Sequence, residues 1–138
     1  MRAAEVRGPG QRLPESRKLQ ILLVEDSVIF QATVADLLRS RGHRVALASN
    51  GLEGLERAES VQPDVVITDV EMPRMNGLEM IRAMKAKEAL RKVPVITLSA
   101  LKTQEVRAQA LEAGADDFLT KADLDEEYLL ELVRALTA

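Results

Sequence analysis

The sequence predicts one α/β domain in which five parallel strands form a sheet between two layers of helices. Three observations carry that expectation. Runs of apolar β-forming residues recur along the chain without polar alternation, as in strands covered on both faces. Between them lie stretches with apolar residues at spacings of three and four, the period of an amphipathic helix. A signal built from Gly, Pro, Asn or Asp separates each stretch from the next, and strict alternation of strand and helix implies right-handed crossovers and therefore a parallel sheet.

Residues 1–18 are rich in Gly, Pro, Arg and Glu and read as a disordered basic leader or linker with too little apolar area to order itself. The domain is expected over 19–138. Leu19–Val24 is the first strand; the helix after it carries Phe30, Val34, Leu37 and Leu38 inward, and Gly42 closes it. Arg44–Ala48 is the second strand. Asn50 and Gly51 open a helix with Leu52, Leu55 and Ala58 inward, and Pro63 and Asp64 lead into the third strand, Val65–Asp69. A third helix is expected from Leu78 to Leu90, with Met72, Met75, Met80 and Met84 as flexible gap-fillers around it and its entry. Val93–Leu98 is the fourth strand. Its helix spans Lys102 to Ala113, and Gly114 stands where a left-handed C-cap is needed. Asp117–Thr120 is the short fifth strand. The last helix aligns Leu124, Tyr128, Leu129, Leu132, Val133 and Leu136 on one apolar stripe, which makes Tyr128 a core residue. His43, in the turn before the second strand, reads as an exposed histidine without a role. Five such units fit the flavodoxin-like doubly wound strand order 2-1-3-4-5, which places the first and third strands side by side at the topological switch point.

With 138 residues the chain is near the commonest size of a single domain. It has no cysteine, no charged-then-apolar start resembling a secretory signal, and no apolar run near the ~18 residues of a membrane span, so a cytoplasmic protein without membrane contact is expected. Net charge is −3, but Arg2, Arg7, Arg12, Arg17 and Lys18 outweigh Glu5 and Glu15 in the leader, leaving the remainder at about −6. An acidic domain argues against nucleic-acid binding by the domain itself, because phosphate contacts need a concentrated basic face.

The stretch VVITDVEMPRMNG, Val65 to Gly77, ends a buried strand on a bare acid, Asp69. In open α/β sheets the carboxyl edge is where ligands sit, and other strand ends there are polar too. The first ends in Glu25 and Asp26, the fourth in Ser99, and the fifth runs into Lys121. A single acid after a strand is ordinarily a helix cap or a solvated loop residue. Three in one crevice repel one another unless a cation neutralises them. Mg²⁺ suits such a site, since it takes hard oxygen ligands and keeps several waters. These parts match phosphoryl transfer: Asp69 as nucleophile, Glu25, Asp26, Asp69 and the backbone carbonyl of Glu71 around the metal, and Ser99 and Lys121 on the phosphoryl oxygens. Pro73, Asn76 and Gly77 turn the chain sharply after Asp69 and uncover it.

Taken together, LLVEDS, TDVEMPRMNGLEM, ITLSA and GADDFLTKA, in that order and on those strands, resemble the receiver domains of two-component response regulators over Leu19 to Leu136. The resemblance implies an aspartyl-phosphate switch. A histidine kinase or phosphotransfer protein donates a phosphoryl group to Asp69 with Mg²⁺, or Mn²⁺ in its place. Ser99 then moves inward, Phe118 rotates into the vacated space, and the surface of the fourth helix, fifth strand and fifth helix changes for a downstream partner. Such a protein catalyses only its own phosphoryl transfer and dephosphorylation, and is expected as a monomer or weak homodimer. Where the family has proline after the strand-five lysine, this chain has Ala122, for which a trans peptide is expected. Glu71 puts an acid near the phosphoryl group, where it can repel or orient attacking water, and Leu101 offers no polar group there. The segment TKADLDEEYLLELV is more similar to receivers fused to chemotaxis-type histidine kinases, or their free-standing relatives, than to those of transcription factors.

Three other readings compete. A haloacid-dehalogenase-type phosphatase needs acids spaced D-x-D after the first strand and a cap domain, whereas Glu25 and Asp26 are adjacent. A flavodoxin-like cofactor binder needs a Ser-, Thr- and Gly-rich phosphate loop there, and an acidic pair repels phosphate. The third is a receiver-like interaction module that works without phosphorylation.

Overall fold

The computed structural model describes residues 17–101 and 103–138, so the expectation for the leader falls, but for Arg17 and Lys18, outside the described residues. Five strands alternate with five helices: β1 (Gln20–Val24), α1 (Val28–Ser40), β2 (Arg44–Ala48), α2 (Gly51–Val61), β3 (Val65–Asp69), α3 (Gly77–Lys85), β4 (Val95–Ser99), α4 (Gln104–Ala113), β5 (Asp117–Thr120) and α5 (Glu126–Thr137). The sheet order is β2-β1-β3-β4-β5 with every neighbouring pair parallel, the doubly wound arrangement expected from the sequence. β1 and β3 are neighbours, so the chain reverses its winding direction between them.

Alternate residues of each strand serve opposite faces of the sheet. Ile21, Leu23, Val65, Ile67, Ile96 and Leu98 pack with Val34, Leu38, Leu129 and Val133 of α1 and α5. Leu22, Val24, Val66 and Val95 pack on the other face with Ala58 of α2, Met80, Ile81 and Met84 of α3, and Ala110 and Ala113 of α4. Both faces are therefore covered, which is why the strands read as unbroken apolar runs. The methionines fill gaps as expected: Met80 and Met84 are fully buried, and Met72 and Met75 pack against the same cluster. Gly114 follows α4 at φ 121°, where a side chain would be strained, and its N–H donates to the Leu111 carbonyl.

Several boundaries shift for local reasons. β1 begins at Gln20 because the Leu19 N–H is held by the side chain of His43. α3 stops at Lys85, five residues before the expected end. The Lys85 ammonium donates to the carbonyls of Arg91 and Val93, folding the segment back in turns that still bury Leu90. Pro94 has no N–H for the ladder, so β4 starts at Val95. Thr103 caps α4 by accepting from the Val106 N–H, so the helix starts at Gln104; Lys102 lies outside the described residues.

Three side chains differ from expectation. Leu52 is 42% exposed, because α2 turns Gly51, Gly54 and Ala58 toward the sheet and leaves it on the flank. Tyr128 is 46% exposed: Leu129, Leu130 and Val133 take the centre of the α5 face, and Tyr128 lies at its edge against a groove beside α4. His43 is buried rather than exposed, and its Nδ1 accepts the Leu19 N–H at 3.2 Å, satisfying a donor that the sheet leaves over.

The first described residue, Arg17, meets the end of α5 at the amino edge of the sheet. Arg17 donates to the Thr137 carbonyl at 2.9 Å and lies 3.7 Å from the Asp64 carboxylate, whose other oxygen accepts from the N–H of Gln20 at 2.8 Å.

Burial, and secondarily the charge of Arg134, lowers the pKa of His43 below its usual 6.5. The unfolded chain therefore takes up this proton at higher pH than the folded one. The stabilisation from neutral His43 is complete above about pH 6.5 and is lost as pH falls through the lower folded value. His43→Asn keeps an acceptor for Leu19 without a titratable group. Between about pH 7.5 and about pH 5.5 the midpoint of thermal unfolding should fall further in the wild type than in His43→Asn, as followed by circular dichroism. Parallel curves would contradict this account of His43.

Candidate functional site

At the carboxyl edge the register brings four strand ends together. Asp69 of β3 stands opposite Leu98 of β4, and Ser99 opposite Thr120 of β5. β1 and β3 run side by side up to the pair Val24 and Thr68, and the chain then leaves β1 through Glu25 and Asp26. The Glu25 N–H donates to the Ala48 carbonyl and the Lys121 N–H to the Ser99 carbonyl, which extends both ladders one residue into the site. Carboxylate oxygens of Glu25, Asp26 and Asp69 all lie within 4.8 Å of one another. The three acids expected to converge do so.

Their environments differ. Asp26 is exposed, whereas Glu25 and Asp69 keep 1% and 4% of their surface in contact with solvent. Lys121 serves both buried acids: its Nζ lies 3.1 Å from Asp69 Oδ2, 3.0 Å from Glu25 Oε2 and 2.9 Å from Glu25 Oε1. The last approach lacks hydrogen-bond geometry, so Oε1 is a buried carboxylate oxygen with a charged neighbour but no donor. Glu25 Oε2 also accepts from the Ser27 N–H at 2.9 Å, and Asp69 Oδ1 from the Val70 N–H at 2.7 Å. With Ala122 in place of proline the lysine still reaches its partners, and the described residues contain no cis peptide bond.

Charge does not balance in this cluster. Burial raises the pKa of both Glu25 and Asp69; Lys121 and the N–H donors oppose the shift without cancelling it, and each acid is also raised by another carboxylate, Glu25 by Asp69 and Asp69 by Glu71. Burial acts to lower the Lys121 pKa, but its bonds to Glu25 and Asp69 outweigh that effect, and the net shift is upward. The ammonium stays protonated, and the acids are the groups in deficit. A divalent cation fits what is present: three carboxylates with hard oxygen atoms converge, and Glu25 Oε1 accepts no hydrogen bond.

The loop after Asp69 is held closely. The Gly77 N–H donates to the Val70 carbonyl at 2.9 Å, and a Cβ at Gly77 would run into the carbonyl oxygen of Asp69, so glycine is what lets α3 begin directly beneath the acid. Asn76 and Glu79 form a reciprocal capping box at the start of α3. The Gly51 N–H donates to the Met75 carbonyl at 2.8 Å, which ties the loop to the start of α2. The expected turn through Pro73, Asn76 and Gly77 is thus braced at both ends.

Ser99 is fully buried. Its Oγ donates to Glu71 Oε1 at 3.2 Å and accepts from the Leu101 N–H at 3.0 Å. Phe118, paired in register with Thr97, is buried in the cluster under α3 and α4. Two features were not drawn from the sequence. The Lys121 ammonium lies 4.8 Å from the centre of the Phe30 ring, a cation–π contact that fixes the lysine from the α1 side. The Gln31 amide donates to the carbonyls of Glu25 and Ala48, bracing the β1 exit. Phe30 was visible only as one of an apolar helical series; nothing in one sequence marks which of that series reaches the site. Beside α4, β5 and α5 runs a groove of about 340 Å³ lined by residues that include Thr103, Gln104, Arg107, Phe118, Leu124 and Tyr128. No helix among the described residues is long and apolar enough to cross a membrane.

Comparison with known proteins places this arrangement. The family profile described as response regulator receiver domain matches residues 21–134. A gliding motility regulatory protein of Myxococcus xanthus is 37% identical over 137 residues, covering 97% of this chain and 18% of its own length. Protein PilH of Pseudomonas aeruginosa is 34% identical, and the match covers 86% of this chain and 98% of PilH. Among solved structures, the receiver domain of a sensor histidine kinase from Pseudomonas aeruginosa, with a magnesium ion coordinated in its active site cleft, superposes with a TM-score of 0.81 at 32% identity over 88% of this chain and 98% of that one. The chain thus spans less than a fifth of one curated relative and nearly all of another.

Two substitutions test the charge deficit. Lys121→Met leaves Glu25 and Asp69 facing each other without a counter-ion. It should lower stability at neutral pH by about 2 kcal/mol, below the ~3–5 of a fully buried pair because Lys121 remains partly solvated. Because the raised carboxyls rise further in that variant, the loss should shrink as pH falls toward the ordinary carboxylate range. Asp69→Asn removes a buried charge that burial disfavours and should raise the urea midpoint. A destabilised Asp69→Asn, or a Lys121→Met as stable as wild type, would contradict this reading.

Proposed function

The chain belongs to the response regulator receiver domains of two-component systems, and on that premise we propose that Asp69 accepts a phosphoryl group from a phosphohistidine on a kinase or phosphotransfer protein, with Mg²⁺ required. What carries the reading is the convergence of three carboxylates at the switch point, two of which share one ammonium group, with a buried carboxylate oxygen that lacks a donor. Residues 19–138 form the receiver domain in this reading, and 1–18 a leader or linker.

Val70 N–H and Lys121 fix the two oxygens of Asp69, so the carboxylate is oriented before a donor arrives. A carboxylate oxygen forms the new bond to phosphorus as the P–N bond of the donor breaks, and its electron pair returns to the imidazole nitrogen. Lys121 stabilises charge on the transferred oxygens and Ser99 supplies a hydroxyl to one of them. Glu25, Asp26, Asp69 and the Glu71 backbone carbonyl would hold Mg²⁺, which supplies the positive charge that the site lacks and screens two anions from each other; Mn²⁺ has the same ligand preference.

Inward movement of Ser99 and rotation of the Phe118 ring would carry the modification to the α4-β5-α5 groove, where Phe118 and Tyr128 both contribute to the lining. A downstream protein then binds or releases that face. The half-exposed position of Tyr128 suits such a surface better than a core. A cytoplasmic setting and a monomer or weak homodimer fit the reading, and the protein acts catalytically only on its own phosphoryl group.

Incubation with a small phosphodonor and Mg²⁺ should add the mass of one phosphoryl group, and the gain should vanish in Asp69→Ala and in excess chelator. No uptake from either a small donor or a kinase would leave the chain as a phosphorylation-independent interaction module.

A further inference from the structure

Ser99 has a single hydroxyl proton, and in this structure it is already committed. A hydroxyl offers one donor and two acceptor lone pairs. The Ser99 Oγ accepts from the Leu101 N–H at 3.0 Å and donates to Glu71 Oε1 at 3.2 Å. A phosphoryl oxygen on Asp69 is an acceptor only, so it can engage Ser99 only through that same proton. The carboxylate of Glu71 and a phosphoryl group on Asp69 are therefore alternatives for one donor.

We propose that Glu71 is a positioning residue that acts through Ser99: its carboxylate sequesters the Ser99 hydroxyl in the unmodified protein and must release it before that hydroxyl can engage a phosphoryl group. The proposal rests on the phospho-acceptor reading of Asp69 and deepens it. Glu71 is exposed and lies in the loop between β3 and α3, so on release its carboxylate turns into water without repacking the core. Ser99 by contrast is fully buried, and an unshared hydroxyl there would be costly. The exchange leaves the hydroxyl satisfied in both states. A bound phosphoryl group, carrying about −1.5 to −2 charge, also repels Glu71, which already opposes ionisation of Asp69. The affinity of the site for phosphoryl oxygens is then reduced by the strength of one hydrogen bond, a threshold set by a side chain outside the core.

Beryllofluoride, which forms a dative bond to a carboxylate oxygen and mimics a phosphoryl group, is the probe. Its affinity is measured by calorimetry at saturating Mg²⁺ for wild type, Glu71→Ala, Glu71→Gln, Ser99→Ala and the Ser99→Ala/Glu71→Ala double variant. The Glu71 backbone carbonyl remains in all of them, and Mg²⁺ affinity is recorded separately. Glu71→Ala should bind about two- to ten-fold more tightly than wild type, the worth of one hydrogen bond. Glu71→Gln keeps a neutral acceptor and should gain less. In the Ser99→Ala background the same Glu71→Ala change should alter affinity by no more than about two-fold, since no proton is left to contest. Equal affinity of wild type and Glu71→Ala would overturn the proposal while leaving the acceptor reading intact. A gain of the same size with and without Ser99 would overturn it too, in favour of plain charge repulsion. No binding by wild type or any variant would overturn the acceptor reading and this one together.

Discussion

Two buried carboxylates share one ammonium group at the carboxyl edge of the sheet, and the rest of the site is arranged around that shortage of positive charge. Glu25 and Asp69 are each nearly removed from water, and Lys121 reaches both. Moving an ion out of water costs several kcal/mol even after relaxation, so a pair of acids with one partner is a cluster held in place by the fold and not one that holds the fold together. Such an arrangement is expected where function, not stability, is being served, and the raised pKa of both acids is its electrostatic signature.

The framework that tolerates this cost is apolar and two-sided. α1 and α5 cover one face and α2, α3 and α4 the other, so the strand ends are fixed by packing far from the charges. Parallel register then sets which ends meet. Because β1 and β3 are neighbours, the acids after β1 and at the end of β3 converge, and because β5 lies beyond β4, Lys121 must extend across the edge to reach them. The Phe30 ring steadies that extended chain. Gly77 lets α3 start against the Asp69 carbonyl, and Gly51 anchors the far end of the intervening loop. The Asp69 carboxylate is thereby held in one orientation, with the Val70 N–H on one oxygen and Lys121 on the other.

How much of this was legible in the sequence depended on which forces decide each feature. β2, β3 and β5 were bounded to the residue, because apolar runs and flanking turn signals report burial directly. The convergence of Glu25, Asp26, Asp69 and Lys121 was legible too, since strand order and polar strand ends together fix it. Helix ends were harder. The premature end of α3 follows from Lys85 folding back on the carbonyls of Arg91 and Val93, a contact that no periodicity encodes. The burial of His43 is not legible because its partner, the Leu19 N–H, lies 24 residues away in the sequence, just before β1, and the exposure of Tyr128 because an apolar stripe does not say which of its edges is covered. The bond between Ser99 and Glu71 is hidden for the same reason: the sequence marks both residues, but only their placement across the β3 and β4 exits shows that they share a proton.

The hydrogen bond from Arg17 to the Thr137 carbonyl has a further meaning for architecture. Entry and exit of the fold stand side by side at the amino edge, with the full depth of the sheet between them and the clustered acids. Segments spliced on at either end, or at both, would hang from the base like pendants from one hook, without crossing the acidic rim. The same plan can then serve as a small protein nearly on its own or as one bead within a much longer polypeptide, which is the range of lengths seen in its relatives.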